Sequence, residues 1–172
     1  MAKRVSLREF QAGLSERLSR ARSGQAVQAL LGMVAGKDHY LLELSDSGEV
    51  VPLPSLTTVP LTRPWFAGVA NVRGELYSVV DFSAFRGGEA TPRNSAARLL
   101  LVGARYGINS ALLVNRTLGL KSLAGLQEQA AGDEDAPAWV GTRYIDGGGQ
   151  SWIRLRLGLL LEDQEFLNIS SS

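Results

Sequence analysis

Short runs rich in β-branched and aromatic residues, separated by glycine, proline and polar clusters, fill most of the chain after residue 29. The clearest two are Val69–Val72 and Glu75–Phe82, which meet at Arg73-Gly74. Side chains of the second run alternate between two faces, with Val80 and the other even-numbered positions on one of them. Because glycine tolerates backbone angles that other residues resist, Gly74 permits a tight reversal that leaves Arg73 at the surface. The pattern predicts an antiparallel hairpin.

Similar runs predict further strands along the chain. The expected strands cover Ala29–Val34, His39–Leu44, Arg98–Val102, Ala111–Asn115, Leu118–Leu123, Tyr144–Ile145 and Trp152–Leu157. Proline cannot donate to a strand ladder, so we expect Pro52–Pro64 to form an extended connection along a sheet edge. Many short strands at this spacing, with frequent glycines, favour small barrels over a parallel sheet.

The two ends of the chain show helical patterns. Over Ser6–Arg22 apolar residues recur at spacings of three and four, and Glu9 follows Ser6 at capping-box distance. This amphipathic helix either packs on its own domain or binds a partner. The tail Leu159–Ile169 is typical of a short helix or a docked terminus. We therefore expect a helical extension over residues 1–25 and a β domain over 26–172, divided into two intertwined subdomains near the breaker-rich residues 87–97.

Composition narrows the class of protein. The 172 residues are 45% apolar and 20% charged, which is typical of a folded protein, and the net charge of +1 gives no reason to expect nucleic acid as the main partner. The absence of cysteine excludes disulfides and thiolate metal sites. Without a run of 18 apolar residues or a signal-peptide pattern, we expect a cytoplasmic protein that does not insert into the membrane.

No arrangement of residues indicates catalysis. Glu75 and Asp81 share one face of one strand but lie roughly 20 Å apart on it, too far for an acid–base pair. His39 is the only histidine, and a metal site built on it would need carboxylates alone. The glycine run 147–149 precedes a strand and not a helix, so it lacks the context of a phosphate loop. We expect neither enzymatic activity nor a cofactor or metal.

The block from Pro60 to Gly74, which reads Pro-Leu-Thr-Arg-Pro-Trp-Phe-Ala-Gly-Val-Ala-Asn-Val-Arg-Gly, resembles the most recognisable segment of the CheW-like coupling proteins. Its proline-tryptophan version is similar to the branch of that family that serves type IV pilus twitching motility. Weaker similarity extends from Leu30 to about Leu161, where Trp152–Leu161 resembles a closing strand and helix.

The resemblance implies a mainly β fold of two small five-stranded barrels related by a pseudo-dyad, with a groove between them. It also implies a non-enzymatic adaptor that couples chemoreceptors, the methyl-accepting proteins, to a CheA-type histidine kinase in a signalling array. The expected partners are the cytoplasmic tip of a receptor and the regulatory domain of the kinase. An adaptor of this kind would be recruited to receptor arrays at the membrane.

The resemblance also suggests residues for this role. The expected receptor groove contains Arg73, Val50, Glu49, Leu118 and Val114. Trp65, on an edge that we expect to be exposed, and Phe66 are candidate anchors for a partner, since aromatic residues are enriched at interface hot spots. Gly68 and Gly74 are expected to form structural turns.

Two alternatives remain open at this stage. The first is a coupling protein of flagellar chemotaxis. The second is a small nucleic-acid-binding barrel, which should carry a basic face with interleaved aromatic residues. Arginines cluster at residues 17–22 and 154–156, but neither cluster carries an aromatic ladder.

Overall fold

The computed structural model of the protein describes residues 29–171 together with Gln11 and Gly13. The helix expected over Ser6–Arg22 lies outside the described residues except for those two helical positions. The described chain is mainly β, as expected.

Twelve strands and three single-turn α-helices make up the described part of the chain. The first six strands are β1 Leu30–Ala35, β2 Asp38–Glu43, β3 Ser47–Pro52, β4 Leu56–Thr57, β5 Phe66–Val72 and β6 Glu75–Asp81. The other six are β7 Arg98–Val102, β8 Ser110–Val114, β9 Arg116–Lys121, β10 Leu126–Glu128, β11 Val140–Asp146 and β12 Ser151–Leu155. The helices are α1 Phe82–Phe85, α2 Leu157–Leu160 and α3 Gln164–Leu167, and 3-10 turns cover Ala104–Tyr106 and Leu123–Gly125.

The strands form two six-stranded sheets, which we call lobe A and lobe B. Lobe A has the order β10-β11-β12-β2-β1-β9, and lobe B has the order β4-β5-β6-β8-β7-β3. In both lobes the two central strands are parallel (β12 with β2, and β6 with β8), and every other neighbouring pair is antiparallel. The two lobes therefore have the same topology.

Each lobe takes a hairpin from the other half of the chain. Strands β1–β6 and β7–β12 repeat one pattern, but the β1–β2 hairpin lies in lobe A with β9–β12, while β7–β8 lies in lobe B with β3–β6. The expected boundary at residues 87–97 lies between β6 and β7, where the second copy of this strand pattern begins. It does not divide the sheets, because lobe B runs continuously from β3 to β8 across it.

Short connections force both sheets to curl. In lobe B the edge strands β3 and β4 are consecutive in the chain and are joined by residues 53–55 alone. A flat sheet of six strands would separate its edges by roughly 24 Å, whereas the step from Pro52 to Leu56 spans at most about 14 Å. Residues 122–125 link the edges β9 and β10 of lobe A in the same way.

The expectation of two closed barrels was wrong, although the expectation of a mainly β fold was confirmed. The lobes are not closed five-stranded barrels but open six-stranded sheets, whose edges are joined by a chain connection and not by hydrogen bonds in the described residues. The extra strand of lobe B, β4, lies inside Pro52–Pro64, which was expected to be a connection without strands, and it pairs with β5. Pro52 ends the edge strand β3, a position where its missing N–H costs nothing.

Three apolar clusters follow from this arrangement. One lies inside lobe B around Leu99 and Leu113, and another lies inside lobe A around Leu41 and Trp152. The largest contains side chains of both lobes and of the three helices, including fully buried Phe82. Successive side chains of β6 therefore pack in two different clusters. Val79 packs within lobe B, and Val80 packs between the lobes. The tail is docked, as expected, because α2 and α3 contribute to the central cluster.

Asp81 is a buried capping residue. Its side chain is 5% exposed and caps α1 by accepting a bond from the N–H of Ala84. It also accepts bonds from the N–H and the hydroxyl of Thr91, both at 2.7 Å. One carboxylate therefore fixes both the end of β6 and the loop that leads to β7.

We expect Asp81→Ala to lower the free energy of unfolding by roughly 2–4 kcal/mol, because it removes the cap and leaves the buried polar groups of Thr91 unpaired. Asp163 caps α3 in a half-buried position and serves as the matched control, for which Asp163→Ala should cost about 1 kcal/mol. Urea unfolding monitored by circular dichroism measures both. Equal losses in the two variants would contradict the importance of burial at Asp81.

Gly68 lies within β5 and not at a turn, which corrects its expected role. The pairing of β5 with β6 shifts between Phe66 and Gly68, and Gly68 adopts a φ of 128°. A Cβ atom at this position would lie 2.3 Å from the carbonyl oxygen of Thr57 in β4. Glycine is required here because β4 approaches too closely for any side chain.

Gly68→Ala should therefore destabilise the protein by at least about 2 kcal/mol, through both the backbone strain and the clash with Thr57. Gly74→Ala is the matched control, since Gly74 also has a positive φ, 87°, but a Cβ there would meet nothing within 4 Å. The control should cost only about 1 kcal/mol. The difference between the two urea midpoints tests the steric argument, which would be wrong if both variants were equally stable.

Candidate functional site

The β5–β6 hairpin presents Arg73 at the surface of lobe B. Val72 pairs directly with Glu75, so Arg73 and Gly74 form a two-residue turn, as the sequence predicts. Both residues have positive φ, 52° and 87°, which is the requirement of a type I′ turn. The side chain of Asn71 accepts a bond from the N–H of Gly74 at 2.9 Å and holds the turn in place.

Arg73 forms a two-bond ion pair with Glu49, one of the other residues expected at the site. Nη1 of Arg73 donates to Oε1 of Glu49 at 3.0 Å, and Nη2 donates to Oε2. Glu49 lies on β3, and two strands separate β3 from β6 in the sheet order. The pair therefore joins the edge of curled lobe B to its hairpin. The parallel fork geometry fixes the plane of the guanidinium as well as its position.

The ion pair keeps both side chains charged while leaving them accessible. The hydrogen bond from Arg73 holds the pKa of the Glu49 carboxyl below its ordinary value, and the carboxylate raises the pKa of Arg73 further. The side chain of Arg73 is 68% exposed and that of Glu49 is 49% exposed. Such an exposed pair contributes little to stability but offers a fixed donor and acceptor to a partner.

Apolar and polar groups surround the pair on the same hairpin. Leu76 is 61% exposed next to the turn. The hydroxyl of Tyr77 donates to Glu75 at 3.0 Å, which raises the pKa of the tyrosine. Glu75 is thus engaged at the surface, while Asp81 is buried at the other end of the strand, so the structure brings no acid–base pair together on β6.

The other residues expected in the groove have different positions. Val50 follows Glu49 on β3, is half-buried and packs on the central cluster. Val114 belongs to the same cluster but is fully buried, and it cannot contact a partner directly. Leu118 packs in lobe A against the cluster of Leu30 and Trp152. The structure thus joins Arg73 to Glu49 and places Leu118 in the other lobe.

Trp65 and Phe66 are core residues, which overturns the expectation of an exposed edge. They are 8% and 7% exposed, and the Trp65 ring packs edge-to-face on Phe85 at 5.1 Å. The reason is that the carbonyl of Trp65 already accepts a bond from the N–H of Asp81, so the β5–β6 pairing extends to Trp65 and turns its ring inward. Both side chains hold the lobes together and are not free to anchor a partner.

A network that the sequence did not reveal lines a cleft of about 570 Å³ elsewhere on the surface. Asp46, in the turn between β2 and β3, is 7% exposed. It accepts a bond from the hydroxyl of Tyr106 at 2.9 Å and pairs with the guanidinium of Arg105. No local pattern joins residues 46 and 105, which meet only because the 3-10 turn before β8 packs against the β2–β3 turn. Arg73 does not line this cleft.

Within residues 29–171, no cluster of three or more histidine and carboxylate side chains is arranged to hold a metal ion. The described helices are also too short to cross a bilayer.

Comparison with known proteins identifies the family. A model of the CheW-like domain matches residues 29–165, which include both lobes and the hairpin with Arg73. The chain belongs to the CheW-like family. CheW-like proteins are coupling and scaffold proteins, so the family match agrees with the resemblance that the Pro60–Gly74 block indicated.

The sequence is also similar to one individual protein of known name. The chain is 31% identical over 99 residues to Protein PilI of Pseudomonas aeruginosa, a match that covers 56% of this chain and 55% of PilI. The match thus spans about half the length of that relative. This similarity agrees with the branch of the CheW-like family that the proline-tryptophan version of the block suggested.

A solved structure confirms the fold. The scaffolding protein TtCheW from Thermoanaerobacter tengcongensis superimposes with a TM-score of 0.65, at 20% sequence identity, over 80% of this chain and 94% of TtCheW. This likeness supports the two-lobed architecture of the CheW-like domain.

The ion pair predicts a measurable shift in proton binding. Because Arg73 lowers the pKa of Glu49 in the folded state, the stabilisation from the pair is present above the ordinary value of 4.5 and is lost as the pH falls through the lowered pKa. Arg73→Ala should return the pKa of Glu49 toward 4.5. An NMR titration of the Glu49 carboxyl carbon measures the change.

Arg93→Ala is the control for this titration, since Arg93 is also an exposed arginine but does not contact Glu49. The Glu49 pKa should be the same in this variant as in the unaltered chain. If Arg73→Ala left the Glu49 titration unchanged, the ion pair would not persist in solution.

Proposed function

We propose that the protein is a non-enzymatic adaptor that couples methyl-accepting chemoreceptors to a CheA-type histidine kinase, in an array that controls type IV pilus twitching. Its partners are the cytoplasmic hairpin tip of a receptor and the regulatory domain of the kinase. Membership of the CheW-like family supports the coupling role, and the similarity to PilI supports the link to twitching. Flagellar chemotaxis is the alternative pathway for the same coupling role.

The Arg73–Glu49 pair is the observation that carries the receptor-binding part of the proposal. Its groups are exposed and oriented by two bonds, and exposed Leu76 provides apolar surface on the same hairpin. A charged, oriented centre with an apolar surround suits a helical receptor tip, which presents both charged and apolar side chains. A second binding surface on a two-lobed body lets one molecule bridge two partners, and an array of moderate contacts gains strength through multivalency.

The nucleic-acid alternative receives little support from the structure. Three arginines of the described chain are paired with carboxylates: Arg154 with Glu43, Arg105 with Asp46 and Arg73 with Glu49. Trp152 is buried, with the ammonium of Lys121 over its ring, and is not available for base stacking. A stacking platform with free cations, which single-stranded nucleic acid requires, does not occur on these elements.

Arg73→Glu tests the receptor-binding role. The variant places two carboxylates side by side, and we expect it to weaken binding to a soluble receptor fragment that contains the cytoplasmic tip by roughly tenfold or more. Because the pair is exposed, the fold should be retained. Isothermal titration calorimetry measures receptor binding, and size-exclusion chromatography with the regulatory domain of the kinase shows whether the other surface is intact.

Two further variants sharpen this experiment. Arg93→Glu changes an exposed arginine of the same chain and should leave receptor binding unchanged. The exchange Glu49→Arg with Arg73→Glu restores the pair in reverse, so recovery of binding would show that the pair acts as a unit, while continued loss would show that Arg73 contacts the receptor itself. Receptor binding by Arg73→Glu at full strength would refute the site.

A further inference from the structure

A second cleft, of about 610 Å³, lies where the two lobes meet and is separate from the β5–β6 hairpin. One wall of this interlobe cleft is the β1–β2 turn of lobe A, with Gly36, Lys37 and Asp38. The other wall is the end of α1 and the loop that leads toward β7, with Arg86 and Pro92. A cavity of this volume is large enough for a small molecule.

The walls of the interlobe cleft are held in place by Ser83, a buried residue of α1. Its hydroxyl donates to the carbonyl of Glu89 at 2.7 Å, and its own carbonyl accepts a bond from the N–H of Gly88 at 2.9 Å. A Cβ atom at Gly36, on the opposite wall, would lie 2.6 Å from the hydroxyl oxygen of Ser83. The floor of the cleft is therefore closely packed, which gives a preformed site.

Arg86 is an oriented cation in this cleft. Its Nε donates to the hydroxyl of buried Tyr40 at 3.2 Å, and its guanidinium carbon lies 4.9 Å from the centre of the Trp139 ring. Burial raises the pKa of Tyr40, so the hydroxyl is neutral and leaves the charge of Arg86 uncompensated. Within the described chain Arg86 forms no ion pair, and its terminal nitrogens have no hydrogen-bond partner. A guanidinium held in this way presents a fixed fork to a carboxylate.

Asn115 and Lys37 add further donors to the lining. Oδ1 of Asn115 accepts a bond from the N–H of Gly36 at 2.8 Å, which identifies the other end of the side chain as the amide nitrogen. That nitrogen has no partner among residues 29–171, so its N–H donors remain available. The ammonium of Lys37 is exposed in the turn and forms no ion pair with a described residue.

Two carboxylates line the same cleft, and they determine which kind of ligand it suits. Asp38 begins β2 and lies close enough to the Tyr40 hydroxyl to raise its pKa further, while Glu89 is exposed in the loop after α1. Neither carboxylate forms an ion pair in the part of the chain that the structure describes. A simple anion would be repelled by these carboxylates, and a simple cation would be repelled by Arg86 and Lys37. A ligand with one group of each sign satisfies both sets.

We propose that the interlobe cleft binds a small zwitterion of the α-amino acid class. The carboxylate of the ligand pairs with Arg86, with Lys37 and Asn115 as further donors. Its ammonium group pairs with Glu89, and Asp38 adds a second negative charge to the cleft. Because the ligand contacts elements of both lobes, its binding stabilises the arrangement in which the lobes pack together. The site is distant in the fold from the receptor-binding hairpin, so it can be tested independently of the adaptor role.

Glycine is the smallest member of this class and serves as the probe in an NMR titration of the full-length chain. The amide signals of Gly36, Lys37, Gly87 and Gly88 should move saturably, with a Kd in the millimolar range for so small a ligand. Acetate lacks the amino group and methylamine lacks the carboxylate, so each should bind at least about tenfold more weakly. The absence of a saturable shift at roughly 100 mM glycine would overturn the proposal. Equal affinity for glycine and acetate would assign the cleft to a simple anion and overturn it as well.

Arg86→Lys tests the carboxylate partner. The variant keeps the positive charge but removes the planar fork and the Nε donor, so glycine binding should weaken by roughly tenfold. Arg93→Lys is the matched control, since Arg93 is exposed in the same loop and does not line the cleft, and its Kd for glycine should equal that of the unaltered chain. If Arg86→Lys bound glycine as tightly as the unaltered chain, Arg86 would not hold the ligand and the proposal would be wrong.

Glu89→Gln provides a second variant if Arg86→Lys does not fold, because the Glu89 side chain is exposed. It should weaken glycine binding and strengthen acetate binding, since it removes a carboxylate that attracts the ammonium group and repels the anion. Glu134→Gln changes an exposed carboxylate outside the cleft and should alter neither affinity. Unchanged affinities for both probes in Glu89→Gln would contradict recognition of a zwitterion.

Discussion

The three residues between β3 and β4 hold the two edges of lobe B together, and much of the molecule follows from the curvature that they impose. The curled sheet encloses its own apolar cluster and turns its outer face toward lobe A, where the largest core forms. It also brings β3 to the β5–β6 hairpin across two intervening strands, so that Glu49 reaches Arg73. The candidate site is thus a product of sheet closure and not of the hairpin alone.

The features that could be predicted from the sequence are those with a local cause. The Arg73-Gly74 turn depends on two residues and the strands on either side, and the structure places it as expected. The alternation along β6 and the docked tail were predicted for the same reason. The family block from Pro60 to Gly74 supplied the two-lobed architecture, which periodicity alone could not provide.

The features that escaped prediction depend on contacts between distant parts of the chain. Trp65 follows a proline and looks like an edge residue, but its carbonyl bonds to Asp81 and the ring is buried. The network of Asp46 with Arg105 joins positions 59 residues apart. The six-strand count was missed because β4 and β10 are only two and three residues long, too short to leave a pattern.

The exchange of hairpins between the two halves has a consequence for synthesis on the ribosome. All strands of lobe B have been translated by residue 114, but β2 pairs with β12, which begins at Ser151. At a usual rate of translation, β2 waits roughly 5–20 s for that neighbour, with one edge unpaired in the nascent chain. This hairpin is therefore made early but is among the last parts of the sheet to acquire all of its native neighbours.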